Sequence, residues 1–218
     1  MYDVQEVSDE TRNYGGRPVS ARRAERRLQF IWAALDVFSH KGYASSSVAD
    51  ICAAASLARQ QFYDEFDSRE DLLIALYDQI QSDARDAMLT AIAAENPATL
   101  ADRAEAAMTA FVESIGLDPR RAQILFVDIV GVSPRVEAHR VARRTEWVAF
   151  FKTTVQNAVG EDFVPPGGYD MASTAFIGAL MALVHQWSTA PTRPPVDGLV
   201  KVMSTILSAL IGTDASTS

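Results

Sequence analysis

The sequence predicts an all-α protein of about nine helices, roughly three in an N-terminal group and six behind it. Three observations carry that expectation. Apolar residues recur at helical spacing along most of the 218 residues, prolines fall where helices begin or cannot continue, and no convincing strand, hairpin dipeptide or repeat interrupts the pattern. A chain of this length can bury one large core or two unequal ones. With 48% hydrophobic and 22% charged residues and a mean hydropathy near zero, it reads as a soluble globular protein.

Residues 1–20 are polar and aperiodic, with Gly15, Gly16 and Pro18, and read as a flexible arm. Ser20 is a candidate N-cap for a first helix over 21–41, whose stripe is Leu28, Ile31, Trp32, Leu35 and Phe38 and whose stop signal is Lys41-Gly42. Ser47, with Asp50 three residues on, starts a short helix to Ala55, with Val48, Ile51 and Ala54 facing inward. After the turn Ser56-Leu57-Ala58, a third helix should run from Arg59 to Phe66, burying Phe62 and Phe66. Ser68 caps a long fourth helix to about Glu95, with Glu70 and Asp71 favourably placed at its positive end. Five more follow over about 98–116, 119–130, 134–159, 170–187 and 196–211, with Pro119 and Pro134 at starts and proline-bearing linkers at 160–168 and 189–195.

Residues 45–66, "SSSVADICAAASLARQQFYDEF", have the layout of a helix-turn-helix, in which a second helix is held by apolar contacts so that its outer face can enter a major groove. Packed helices with no DNA role would show similar spacing. The net charge of −8 argues against DNA binding over the whole surface, yet Arg12 to Tyr63 contains eight basic residues against three acids.

The longer stretch "ALDVFSHKGYASSSVADICAAASLARQQFYDEFDSREDLLIALY" (34–77) resembles the N-terminal domain of the TetR family of one-component transcriptional regulators. The signals are "FSHKGY", "SVADI", the turn "AAASLA", the helix "FYDEF" and "SREDLL", and the resemblance covers residues 22 to 77. It implies a three-helix helix-turn-helix DNA-binding domain followed by a helical ligand-binding and dimerisation domain. By the same resemblance, Ser47 contacts a phosphate, Arg59, Gln60 and Gln61 read bases, Tyr63 touches the backbone and Arg69 meets another phosphate. Chemistry agrees, since Gln pairs with adenine and Arg with guanine. Arg22 and Arg23, with Arg17, Arg26 and Arg27, could reach along the DNA backbone; each of these residues also fits a solvated helix face. The chain departs from the family in having Ser56 where glycine is usual, Ala58 where a Ser or Thr cap is usual, and Asp64 and Glu65 where a His-Tyr or Tyr-His pair is frequent. Either those acids point away from the DNA or, facing phosphates, they weaken binding.

Nothing in residues 78–218 reads as catalysis. His40, His139 and His185 lack metal-site spacing, Cys52 reads as a buried thiol, and no phosphate-binding glycine loop appears, so neither enzyme activity nor a cofactor is expected. Met108, Phe111, Phe126, Trp147, Phe151, Met181 and His185 could line an apolar cavity, with Arg143 in it from a basic cluster (Arg120, Arg121, Arg135, His139, Arg140, Arg143, Arg144) that could meet an anionic head group on a lipophilic ligand. Plain core and a solvated basic face remain the alternatives. The helices holding Phe176, Gly178 and Leu183, and Leu199, Val202, Met203, Ile206 and Leu210, would form half of a four-helix bundle completed by a second subunit, unless one subunit buries them alone.

The expected organisation is an arm (1–20), a helix-turn-helix domain (21–67), a ligand-binding and dimerisation domain (68–212) and a disordered tail (213–218). The expected function is that of a repressor which binds a near-palindromic double-stranded operator as a homodimer and leaves it on binding a small lipophilic, in one form anionic, effector. A ligand-independent activator or architectural DNA binder is the alternative. With one cysteine, no apolar run of membrane-spanning length and no secretory signal, the expected setting is the cytoplasm, away from the membrane.

Overall fold

The computed structural model describes residues 19–94, 99–160, 162–192 and 194–211. The C-terminal tail, nearly all of the arm, Arg12, Arg17 and the Asn96-Pro97 break lie outside them. Among the described residues there are nine α-helices and no strand: α1 (Val19–Lys41), α2 (Val48–Ala55), α3 (Arg59–Tyr63), α4 (Arg69–Ala94), α5 (Leu100–Gly116), α6 (Pro119–Gln123), α7 (Pro134–Val159), α8 (Gly168–Thr189) and α9 (Val196–Ile211). The chain divides into two compact units, Met1–Leu76 and Tyr77–Ser218, the division falling within α4.

In the first unit α1 packs on α2, and α2 on α3. Its centre is aromatic. Phe30 meets Phe62 edge-on at 5.5 Å and Phe66 at 6.3 Å, and Phe62 and Phe66 lie 5.7 Å apart. This corrects the expected α1 stripe: Leu28 and Trp32 are exposed, whereas Phe30, Ala34, Leu35 and Phe38 are buried. The apolar run 30–35 fits either helical phase, and the three-phenylalanine contact selects the one that turns Phe30 inward. Ser20 lies inside α1 rather than capping it, and Ala54 is exposed while Ala55 is buried.

Ser47 caps α2 as expected. Its Oγ accepts from the Asp50 N–H at 3.2 Å, and the Asp50 carboxylate accepts from the Ser47 N–H at 2.9 Å, a reciprocal capping box. The turn to α3 passes through Ser56 at φ +54°, ψ 37°, the only described residue other than glycine in the left-handed region. That conformation explains why glycine is the usual residue here. α3 ends at Tyr63, three residues earlier than expected, where the Glu65 and Phe66 N–H groups both close on the Phe62 carbonyl.

In the second unit α5 lies against α9, α7 against α8, and α8 against α9. Phe111, Ile115, Ile124, Phe176 and Met203 form its buried centre, and Phe151 stacks on Phe176 at 4.2 Å. The expected helix 119–130 is α6 followed by a π-helical turn, Ile124–Asp128, in which the Ile129 N–H reaches back five residues to the Ile124 carbonyl. Gly116 is required by packing, because a Cβ there would overlap the Trp187 ring. Among the described residues no helix is long and apolar enough to cross a membrane.

Candidate functional site

The five residues of α3 divide into two faces. Phe62 is fully buried, whereas Arg59, Gln60 and Tyr63 are exposed. The Arg59 Nη2 donates to the Tyr63 hydroxyl at 3.4 Å and its guanidinium lies 5.7 Å from the ring centre, so the two side chains form one cationic, aromatic outer surface. A short helix with little intrinsic stability is held in place by the phenylalanines beneath it.

Gln61 belongs to a different category. Its Oε1 accepts the Ala58 N–H at 2.9 Å, so the glutamine supplies one half of a capping box from the third position, while Ala58 has no hydroxyl to supply the other half. Three other residues expected at DNA also have internal partners. The Ser47 hydroxyl donates to Asp50 at 2.7 Å, although Ser47 itself is exposed at the start of α2. Lys41 joins this cap through Asp50 Oδ1 at 2.5 Å; that hydrogen bond and those from Ser47 hold the Asp50 carboxyl below its ordinary value. The Arg69 Nη1 donates to the Tyr43 carbonyl at 2.8 Å and to the Ser46 carbonyl, and its guanidinium lies 4.7 Å from the Tyr43 ring centre, fastening the start of α4 to the loop before α2.

Arg23 is the third. Its Nε donates to Glu65 Oε2 at 3.1 Å and its Nη2 to the Asp64 carbonyl at 3.2 Å. Arg26 donates to Glu65 Oε1 from Nε at 3.0 Å and Nη2 at 2.5 Å, and Arg27 Nη1 to the Glu65 carbonyl at 2.8 Å. The Glu65 side chain is only 1% exposed. Burial alone would raise its carboxyl, but the hydrogen bonds and charges of Arg26 and Arg23 outweigh that and hold it below its ordinary value. Glu65 therefore faces α1 and not solvent, whereas Asp64 and Arg22 are exposed.

The residues expected to form one ligand pocket are distributed over more than one recess. A cavity of about 310 Å³ is lined by Phe126, Trp147, Met181 and His185 as expected, together with Tyr77, Gln81, Glu137, Arg140 and Arg144. Its walls include Phe126 stacked on His185 at 5.1 Å. A second, more apolar cleft of about 330 Å³ contains Met108 and Phe151 with Met88, Ile92, Val155 and Leu207, and Arg103 is its one charged wall residue. Between the two levels, one helical turn apart on α5 and α7, Phe111 meets Trp147 edge-on at 5.3 Å. Arg143 lines neither; it pairs with Glu146 at 2.8 Å and approaches Asp78 at 3.4 Å. Of the expected basic cluster, Arg140 and Arg144 line the first recess and Arg143 does not, because α7 turns those two to the α8 side. Gln81 could have been suspected from sequence, being a polar residue one turn beyond Tyr77 on the inner side of α4. Its amide oxygen accepts the Trp147 indole N–H, and its buried Nε2 has no hydrogen-bond partner. Among the described residues no group of three His, Cys, Asp or Glu is placed to hold a metal ion.

The expected dimer residues separate in the same way. Phe176, Leu199 and Met203 are buried within one subunit and Leu183, Ile206 and Leu210 are half-buried, while Gly178 and Val202 are exposed. A Cβ at Gly178 would meet nothing in its own chain, so close approach within the subunit does not explain that glycine. The exposed positions of α8 (Met171, Ala175, Gly178, Ala182, His185) and α9 (Gly198, Val202, Thr205, Ala209) recur at alternating spacings of four and three.

Comparison with known proteins bears on both units. Residues 30–76 match the family described as bacterial regulatory proteins, tetR family. Among solved structures the chain is similar to the fatty acid degradation regulator FadR from Bacillus halodurans, with 16% identity over 84% of this chain and 94% of that one and a TM-score of 0.71. It is similar to the transcriptional regulator FadR from Bacillus subtilis in complex with stearoyl-CoA, with 18% identity over 84% and 97% of the two chains and a TM-score of 0.62. A TetR/AcrR-family regulator from Thermobifida fusca YX-ER1 shares 23% identity over 84% and 96%, with a TM-score of 0.58. At these identities the likeness shows a shared fold. A search of curated proteins found no match. Residues 30–76, the helix-turn-helix segment, are thus the part of the chain that matches the tetR family of bacterial regulatory proteins, and the rest shares the fold of these regulators.

Proposed function

We propose that this regulator is a repressor that binds a near-palindromic operator as a homodimer in the cytoplasm and is released by a small lipophilic ligand. The observation that carries the reading is the outer face of α3. Arg59, Gln60 and Tyr63 are exposed together on a helix whose other face is locked into an aromatic core. Arg59 suits guanine, Gln60 suits adenine, and the Tyr63 hydroxyl suits a phosphate. Ser47 and Arg22, both exposed, would add phosphate contacts, and Gln61 and Arg69 would act mainly by holding the reading surface in place.

The exposed seams of α8 and α9 support pairing with a second copy through small residues such as Gly178, Ala182 and Gly198. Two reading helices about 34 Å apart would then address successive turns of one duplex face. The two recesses support the sensor reading over the ligand-free alternative, for which a solid core would be expected. Their division of character suits an effector with a polar head near Arg140 and Arg144 and an apolar body. The B. subtilis neighbour was solved with stearoyl-CoA, a ligand of that general kind. Release requires the effector to bind the DNA-free conformation more tightly than the DNA-bound one.

Selection of bound duplexes from a random pool, followed by competition with fatty acids and acyl thioesters on the winning sequence, tests the reading. The expected result is a two-fold-symmetric site from which one class of lipophilic anion displaces the protein. Enrichment of no sequence would defeat the DNA-reading part, and an operator complex indifferent to every such compound would defeat the sensor part.

A further inference from the structure

We propose that Glu65 is a positioning residue that holds Arg23 away from the DNA backbone and thereby sets the strength of the sequence-independent part of DNA binding. The inference rests on the reading that the α3 face meets DNA. Three arginines of α1 converge on the segment just after α3: Arg23 and Arg26 on the Glu65 carboxylate, and Arg27 on its carbonyl, with the Arg27 guanidinium 4.2 Å from the Phe66 ring centre. By charge alone these arginines would be prime phosphate ligands. Geometry distinguishes among them. The Arg26 side chain is 27% exposed and uses two donors on one carboxylate oxygen, so it is structural. The Arg23 side chain is 64% exposed, and it is held back only by one bond to Glu65 and one to the Asp64 carbonyl.

A phosphate competing for the clamped edge of Arg23 would have to leave a carboxylate that is almost wholly buried with a single remaining cation. The Glu65 Oε2, which Arg23 bonds, would then be a buried charged acceptor with no donor, which is costly, so the carboxylate keeps its partner. With the Glu65 charge removed, nothing of comparable strength retains Arg23, and the guanidinium can swing into solvent toward a neighbouring phosphate. Phosphate contacts carry no sequence information, so the gain should appear equally on operator and on unrelated DNA.

The test is a salt series of DNA affinities for the full-length wild type, E65Q, R23Q and the double variant, on the selected operator and on a random duplex of equal length, with near-ultraviolet dichroism to confirm folding. E65Q should bind both duplexes more tightly at low salt and show a plot of log affinity against log salt steeper by about one, the increment of one further phosphate contact. R23Q alone should leave the slope nearly unchanged, and adding R23Q to E65Q should return the slope to the wild-type value. This non-additivity separates a clamp on Arg23 from a merely structural Glu65. A folded E65Q with the wild-type slope would overturn the proposal, as would R23Q alone lowering the slope by about one, because Arg23 would then already be on a phosphate. If E65Q fails to fold, R23Q alone decides by the same criterion. If the wild type binds neither duplex, the DNA-reading premise falls and the clamp proposal with it; wild-type binding with either adverse slope defeats the clamp alone.

Discussion

The two units of this protein handle buried polarity in opposite ways. In the N-terminal unit the buried carboxylate of Glu65 is bonded by two guanidinium groups, and three phenylalanines fill the space around α3. In the C-terminal unit, recesses of about 310 and 330 Å³ remain open, and Gln81 and Arg140, both in the wall of the first, each keep a buried nitrogen without a hydrogen-bond partner. Among the described residues, every such unpartnered buried side-chain atom lies beyond Tyr77. The contrast fits the proposed function: a DNA-reading surface would need to present Arg59 and Gln60 in one fixed register, whereas a ligand sensor would benefit from space and unsatisfied donors that a ligand can fill.

The largest effect that would break or sharpen this contrast comes from removing an aromatic ring. Phe62→Ala should destabilise the N-terminal unit by about 3–5 kcal/mol, because a fully buried ring leaves a cavity that the short α3 cannot close. Met181→Ala, at a half-buried position in the wall of the 310 Å³ recess, should cost about 1 kcal/mol and alter ligand response instead. Denaturant unfolding of both variants decides; equal losses would mean that the C-terminal recesses are not slack space.

Acid provides the next test. The Glu65 carboxyl is held below its ordinary value in the folded state, so its stabilisation is fully present above the unfolded value of about 4.5 and is lost as pH falls through the lower folded value. Acid unfolding followed by tryptophan fluorescence should show a loss of stability across that window, and E65Q, already less stable near neutrality, should lack this part of the pH dependence. A wild-type curve that is flat there would contradict the clamp geometry.

The smallest effect has the opposite sign. Ser56→Gly should stabilise by about 0.5–1 kcal/mol, because the serine holds a left-handed conformation that costs glycine little. A melting temperature that stays level or drops would contradict that backbone geometry.

Much of the scaffold was legible in sequence because its signals are local. The Ser47–Asp50 box lies within four residues, and Pro119 and Pro134 mark helix starts whatever the tertiary context. The Glu65 clamp was not legible, since its partners lie 39 and 42 residues away and two adjacent acids in a DNA-facing motif look repulsive until the arginines are placed. Gln61 left a readable trace, a glutamine at the third position after the cap residue Ala58, yet base reading is the more familiar role for a glutamine in that helix. Periodicity identified α8 and α9 as apolar without showing which residues face inward: Phe176 and Met203 close the subunit's own core, while Gly178 and Val202 face outward. Arg143 failed as a pocket residue for a similar reason, since α7 is basic on more than one face and only packing shows that Arg140 and Arg144 line the recess.

The division between reading and supporting residues in α3 is the central claim, and base preference measured on the selected operator tests it most directly. Arg59→Ala or Gln60→Ala should each relax discrimination at one base pair per half-site, by about 1–3 kcal/mol, with stability unchanged. Gln61→Ala should lower stability by roughly 0.5–1 kcal/mol, through the lost acceptor for the Ala58 N–H, and keep the wild-type base preferences. The account is contradicted if Gln61→Ala changes which bases are preferred while Arg59→Ala and Gln60→Ala leave every preference as it was.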